Sequence, residues 1–208
     1  MLNPEAYRQL IQVHGERFRW LKAVPSDQYN PATGLNQDRT DIHSDHGHIY
    51  LDQGIFRGLV AEQKRDMLHP DFGWVLAGSL WLTVMADEVR FGTFDKVVLL
   101  DRTLLARERC VKGTDALGRL YPVAVVSIAD SSGTYVQGVD YELDAAERKI
   151  RWLTGGNAPA DGATYAVEYT YNPVFWLVVE QTRVPRPFFG TSVPGPQRCL
   201  LSLAPPEA

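Results

Sequence analysis

From Thr164 to Tyr171 the chain alternates without a break, Thr164-Tyr165-Ala166-Val167-Glu168-Tyr169-Thr170-Tyr171, with tyrosines at 165, 169 and 171. Successive side chains of a strand point to opposite sides, so this run places its aromatic rings on one face. Eight residues of strict period two cannot serve as a helix. They commit this part of the chain to a β-sheet.

Other segments carry the same signal. Ile49-Tyr50-Leu51 reads as a short strand, Gly54 to Val60 as a second and Trp74-Val75-Leu76 as a third. Ser79 to Val84 alternates, and Lys96 to Leu100 follows a Gly92-Thr93-Phe94-Asp95 turn. Leu104 to Val111 and Tyr121 to Ala129 add two more. Strand signals about ten residues apart, punctuated by glycine, predict a small barrel or sandwich over residues 49–130. Asp140 to Leu143 and Lys149 to Leu153 alternate around a polar turn, as a hairpin does. With residues 164–171 and Trp176 to Glu180 they predict a second β unit over 131–184.

The two ends differ from this pattern. Asn3-Pro4-Glu5 opens like a helix, with an asparagine cap, proline in the first turn and an acid at the positive dipole end. Tyr7, Leu10, Ile11, His14 and Phe18 recur at helical spacing, which predicts a helix within residues 1–24. Its stripe, with Tyr7, Leu10 and Phe18, is expected to pack on its own domain or on a neighbouring subunit. Residues 25–48 form a polar, turn-rich loop, and loops of that length are usually functional, metal-held or disordered. Residues 185–208 hold many of the 13 prolines and read as an extended arm. Phe188 and Phe189 on that arm have no local element to join, so a partner subunit is their expected dock.

A length of 208 residues suits one medium domain with an elaboration or two small ones. With 45% hydrophobic and 22% charged residues the chain is expected to be globular, and a net charge of -4 argues against a nucleic-acid binder. Cys110 and Cys199 make no disulfide framework and read as small buried apolar residues. The N-terminus lacks an apolar signal core and no run of some 18 apolar residues occurs, so assembly in a cytoplasm with no membrane partner is expected.

Metal-ligand chemistry is concentrated in Asp41-Ile42-His43-Ser44-Asp45-His46-Gly47-His48. On an extended backbone His46 and His48 share a face and His43 can close from the preceding turn, with Asp41 as a further candidate ligand and zinc as the candidate ion. The spacing matches no strong zinc motif, and a histidine-rich polar loop is the plain alternative. No nucleophile elbow, zinc-protease helix, phosphate loop or dinucleotide fingerprint occurs. Gly155-Gly156 and His69-Pro70-Asp71 read as turns, and Asp140 and Asp144 as solvated turn acids. The chain is therefore expected not to be an enzyme. Its five tryptophans and nine tyrosines are expected mostly in the core, with exposed ones anchoring an interface.

Three stretches together resemble virion neck proteins of tailed bacteriophages. Trp20-Leu21-Lys22-Ala23-Val24-Pro25, Asn30-Pro31-Ala32-Thr33-Gly34 and His46-Gly47-His48-Ile49-Tyr50 are similar to a frame that carries a small zinc loop. Ser26, Gln28, Asp41 and Ser44 stand around where that frame has cysteines, so the loop is degenerate unless the histidines replace them. Gly73 to Asp101 resembles the small barrel of head-closure (stopper) proteins. Gly138 to Tyr169 is similar to a β unit common in phage structural proteins. The resemblance implies a homo-oligomeric ring in the virion, joining the portal and its adaptor to the tail or tail-terminator proteins. DNA would pass through such a ring without specific binding.

Two other readings remain. One is a baseplate or tail-hub adaptor or a carbohydrate-binding β module, whose aromatics would be exposed on one face of the sheet. The other is a metal-dependent enzyme centred on His43, His46 and His48.

Overall fold

The computed structural model describes residues 3–25, 29–30, 35–36, 48–69, 73–75, 78–92, 94–178 and 195–203. The chain is mainly β with one N-terminal helix, and it divides into two units. One comprises Met1–Leu99 with Phe175–Leu203, the other Leu100–Val174.

Helix α1 (Pro4–His14) begins as expected, with Asn3 Oδ1 accepting from the Ala6 amide at 2.7 Å. It stops much earlier than residue 24. The Gly15 amide closes the last turn on the Ile11 carbonyl at 2.7 Å, and β1 (Glu16–Pro25) follows at once. Phe18 therefore lies in a strand, fully buried, and is not part of a helical stripe. The reason is local: Phe18 and Trp20 alternate with Arg17 and Arg19, a period-two pattern that outweighs one residue at helical spacing.

The later strands are β2 (Tyr29–Asn30), β3 (Leu35–Asn36), β4 (His48–Glu62), β5 (Met67–His69), β6 (Gly73–Val75), β7 (Leu80–Met85) and β8 (Lys96–Leu99). Then come β9 (Leu104–Val111), β10 (Pro122–Asp130), β11 (Gly133–Tyr135), β12 (Tyr141–Asp144) and β13 (Lys149–Trp152). The chain continues through β14 (Thr164–Tyr171), β15 (Val174–Val178) and β16 (Pro196–Leu203). The pairs β2–β3 and β5–β6 form small hairpins.

The first unit is a closed six-stranded antiparallel barrel in the order β1-β4-β7-β16-β15-β8, with β8 returning to β1. Inward positions of β1, β7, β8, β15 and β16 meet in one core of Phe18, Leu82, Val84, Val97, Leu99, Phe175, Leu177, Cys199 and Leu201, against which the partly buried Phe56 and Val60 of β4 pack. Burying side chains of this size contributes about 2 kcal/mol each. Gly58 lets β4 approach β7, since a Cβ there would overlap Leu82 Cδ1 and stand 3.1 Å from Val84 Cγ1 and 3.3 Å from the Thr83 carbonyl. The expected pair of short strands, 49–51 and 54–60, is one long β4. Register slips between Arg19 and Leu21, where Gly54 at φ 92 takes up an extra residue as a bulge.

The barrel does not occupy residues 49–130 as expected: β1 precedes that span and joins the barrel, while β9 and β10 leave it for the sheet of the second unit. The barrel also draws β15 and β16 from beyond the second unit, because Phe175, Leu177, Cys199 and Leu201 complete its core. Residues 196–203 are thus a paired strand and not part of an extended arm. Pro196 is tolerated as the first residue of its strand. The remainder of the expected arm, 185–194 and 204–208, lies outside the described residues.

The second unit is a four-stranded sheet, β11-β10-β14-β9, with the β12–β13 hairpin beside it. The hairpin pairs Tyr141 with Trp152 and Leu143 with Ile150, as its alternation predicts. Tyr165, Val167, Tyr169 and Tyr171 of β14 share one buried face and pack with Ala106, Cys110, Ile128, Tyr135, Tyr141 and Ile150. Trp152 sits edge-on to Tyr135, Tyr141 and Tyr165 at 5.0, 6.0 and 5.3 Å. Along β10 the register slips twice, between Pro122 and Ala124 and between Val125 and Ser127.

Candidate interaction surface

Of the expected metal ligands, Asp41, His43 and His46 lie outside the described residues. His48 begins β4, is 9% exposed, and its ring lies 4.7 Å from that of Phe94. Phe94 is half exposed at φ 71, a backbone conformation that costs an aromatic residue about 1 kcal/mol. Among the described residues no group of three histidines, cysteines or acids is placed to hold an ion. Of the expected interface residues, Phe188 and Phe189 also lie outside the described set. Tyr7 and Leu10 stand on α1, partly exposed, while Phe18 is barrel core.

The buried acids hold backbone and ring donors. Asp95, 1% exposed, accepts from Trp20 Nε1 at 2.8 Å, the Ala23 amide at 2.9 Å and the Gly92 amide at 2.9 Å. Asp115 accepts from Tyr165 Oη, Trp152 Nε1 and the Gly113 amide. Asp140 is no solvated turn acid. It is 3% exposed and takes the Val136 and Asn157 amides at 2.8 Å each, which hold its carboxyl below the usual range. The same is true, more weakly sealed, of Asp144: the Glu147 amide lowers its pKa, and Arg151 Nη2 donates at 2.6 Å. Glu108 accepts from Tyr169 Oη and the Gly118 amide, both at 2.8 Å.

Cys110 and Cys199 are free and buried, as expected of small apolar residues. Burial pushes the Cys110 thiol up to about 11 and the Cys199 thiol to about 12. Lys96 is the unexpected buried cation, 4% exposed, with its ammonium 4.3 Å from the Tyr50 ring and 4.4 Å from that of Trp176. Two aromatic faces replace part of its lost hydration. A lysine heading the apolar run Lys96-Val97-Val98-Leu99 was the signal available in the sequence.

One face of the second unit's sheet carries exposed side chains on β9, β10 and β14. Alternation places Leu105, Arg107 and Arg109 of β9 there, opposite Thr170, Glu168 and Ala166 of β14. Arg107 Nε and Nη2 both reach Glu168 Oε1 at 2.8 Å. Arg109, exposed beside them, has no ion-pair or hydrogen-bond partner among the described residues. Ser127, Ala129 and Ala166 floor an open groove of about 330 Å³ walled by the two arginines and Glu168. Apolar side chains stand out on both flanking strands: Leu104, Leu105 and Val111 on β9, Val123 and Val126 on β10.

A family model described as a domain of unknown function (DUF4815) matches residues 98–186, a span that includes the whole second unit and β15. No curated protein matches the chain.

Proposed function

We propose that the chain is a structural virion protein of a tailed phage, a ring-forming neck component joining the portal and adaptor of the head to the tail. The observation that carries this reading is how the polar and apolar side chains are used. Asp95 in the first unit and Asp140 in the second, both buried, accept backbone amides of their own loops, while apolar residues stand exposed on the flanking strands β9 and β10. That arrangement suits a part that presents surfaces to neighbours. The small closed barrel is consistent with the stopper-like resemblance of residues 73–101, and the second unit with the phage-type β unit. A sugar-binding module would need its rings on the open face. Tyr165, Tyr169 and Tyr171 turn to the core instead, which weighs against that alternative.

The test is the mass of the purified protein, alone and mixed with portal complexes taken from particles. Recruitment into a ring on the portal complex is the expected result. A chain indifferent to portal complexes but captured by baseplate complexes overturns the neck position in favour of the tail-hub adaptor.

A further inference from the structure

We infer that the free edge of β9 takes an extended acidic segment of a partner protein as an added antiparallel strand. The inference goes beyond the neck reading and does not depend on it. β9 ends its sheet: it pairs with β14 on one side and with no described strand on the other. It is eight residues long, without proline or bulge, which leaves it open to strand addition. The hydrogen-bond phase fixes which groups are offered. Lys112 N donates to the Ala163 carbonyl at 2.9 Å, so the even-numbered residues of β9 turn their backbone groups to β14. Leu105, Arg107 and Arg109 turn theirs to the open side. The Val111 carbonyl, next in that series, already accepts from the Thr114 and Asp115 amides at 3.1 and 2.9 Å, so the open stretch ends at Arg109.

The side chains of the same three residues stand on the exposed face and set the chemistry of the occupant. Arg107 lies opposite Glu168 and is held by it, two guanidinium nitrogens reaching Oε1 at 2.8 Å. Arg109 lies opposite Ala166 and is exposed, with no ionic partner among the described residues. Residues directly opposite in a hydrogen-bonded antiparallel pair stand side by side, their Cα atoms about 5.5 Å apart. The strand that fits therefore reads, from its N-terminus, acid, any residue, acid, any residue, apolar. Its acids stand opposite Arg109 and Arg107 and its apolar side chain opposite Leu105. A neutral strand leaves Arg109 unpaired and a basic one is repelled. A second copy of this chain fits poorly. Antiparallel pairing of two β9 edges about Arg107, Glu108 or Arg109 sets arginine against arginine. Glu142 and Asp144 of β12 turn their backbone groups to β13, in phase with Leu153 N to the Asp140 carbonyl at 2.9 Å, so no antiparallel register offers those acids to β9.

The probe is a fluorescein-labelled heptapeptide, Thr-Glu-Thr-Glu-Thr-Val-Thr, titrated with the whole chain at low salt and read by anisotropy. One control carries lysine in place of both glutamates. A second keeps the glutamates but methylates their backbone nitrogens, which preserves the charge and removes the donors a strand needs. The glutamate peptide should bind below about 1 mM, and each control about tenfold or more weakly than it. Arg109→Glu, with thermal unfolding as the check on folding, should weaken the glutamate peptide about tenfold or more and turn the preference to the lysine peptide. No binding of the glutamate peptide, or equal binding of the lysine peptide, overturns the acidic occupant. Equal binding of the methylated peptide means that charge alone attracts, and overturns strand addition. An Arg109→Glu variant that binds like the natural chain moves the site off this edge. Self-association that Arg109→Glu abolishes, with no peptide bound, gives the edge to a second copy and overturns the inference as well.

Discussion

Tyr165 Oη donates a 2.6 Å hydrogen bond to Asp115 Oδ1, deep beneath the second unit's sheet. The same oxygen takes Trp152 Nε1 at 2.9 Å, and Oδ2 takes the Gly113 amide at 2.9 Å with Lys112 Nζ at 3.9 Å. One carboxylate therefore ties the 112–115 turn to the β12–β13 hairpin and to β14. Burial raises the Tyr165 hydroxyl's pKa, and the Asp115 charge raises it further.

Removing that carboxylate should loosen all three elements together. Asp115→Ala leaves the Tyr165 hydroxyl, the Trp152 indole and the Gly113 amide without their acceptor, and the expected loss is about 3 kcal/mol. Asp115→Asn keeps an acceptor oxygen and should lose about half as much. Urea unfolding followed by tryptophan fluorescence measures both. Equal midpoints for the alanine variant and the natural protein would show that the Asp115 network contributes nothing to stability.

The barrel offers a steric counterpart. Gly58 faces inward between Phe56 and Val60, where an added Cβ would overlap Leu82 Cδ1. Gly58→Ala should destabilise by about 2 kcal/mol, and Leu82→Ala in the same chain should recover part of that loss by making room. A double-mutant cycle from thermal unfolding checks the coupling. Strictly additive losses would mean the two positions do not meet.

Local periodicity made much of the second unit legible. Thr164–Tyr171 and the hairpin of residues 141–152 carry a strict period of two, and their buried faces are the ones their sequences predict. The barrel was harder to read, because its closure depends on strands more than seventy residues apart, and Phe18–Leu99 or Leu82–Cys199 pairing leaves no local trace. The gap expected between Leu51 and Gly54 is instead a bulge within one strand, with Gly54 at φ 92, and a bulge of this kind leaves no period of its own in the sequence. Asp140 shows the limit for the polar positions. Whether a turn acid is solvated or sealed depends on which amides converge on it, here those of Val136 and Asn157. The candidate surface depends on which edges stay unpaired, and that follows only from the full strand order.

Strand β16 gives the third prediction. Its Cys199 and Leu201 fill the barrel core, and it bridges β7 and β15. A chain ending at residue 195 should lose the barrel's cooperative unfolding and bind a hydrophobic dye, since β7 and β15 would be left with open edges. A truncated chain that keeps the natural unfolding midpoint would contradict the role of β16 as the closing strand.

The two thiols set the alkaline limit. An unfolded cysteine ionises at about 8.5. In the fold, burial with the Glu108 and Asp115 charges holds Cys110 at about 11, and burial alone holds Cys199 at about 12. A raised pKa means the unfolded chain loses its protons first. The stabilisation is whole below about pH 8.5 and drains away as pH climbs towards 11 and 12. At the acid end the sign reverses. Hydrogen bonds from the Ser132 and Tyr135 hydroxyls hold Asp130 at about 2, so its contribution is present above about pH 4 and is lost as pH falls through 2. Stability measured against pH should therefore be flat between these limits and fall at both. At pH 8 iodoacetamide should leave the native chain unmodified and alkylate both cysteines in 6 M guanidinium. Rapid native-state labelling of either one would show that its thiol is neither sealed nor held protonated, and would remove the alkaline limit with it.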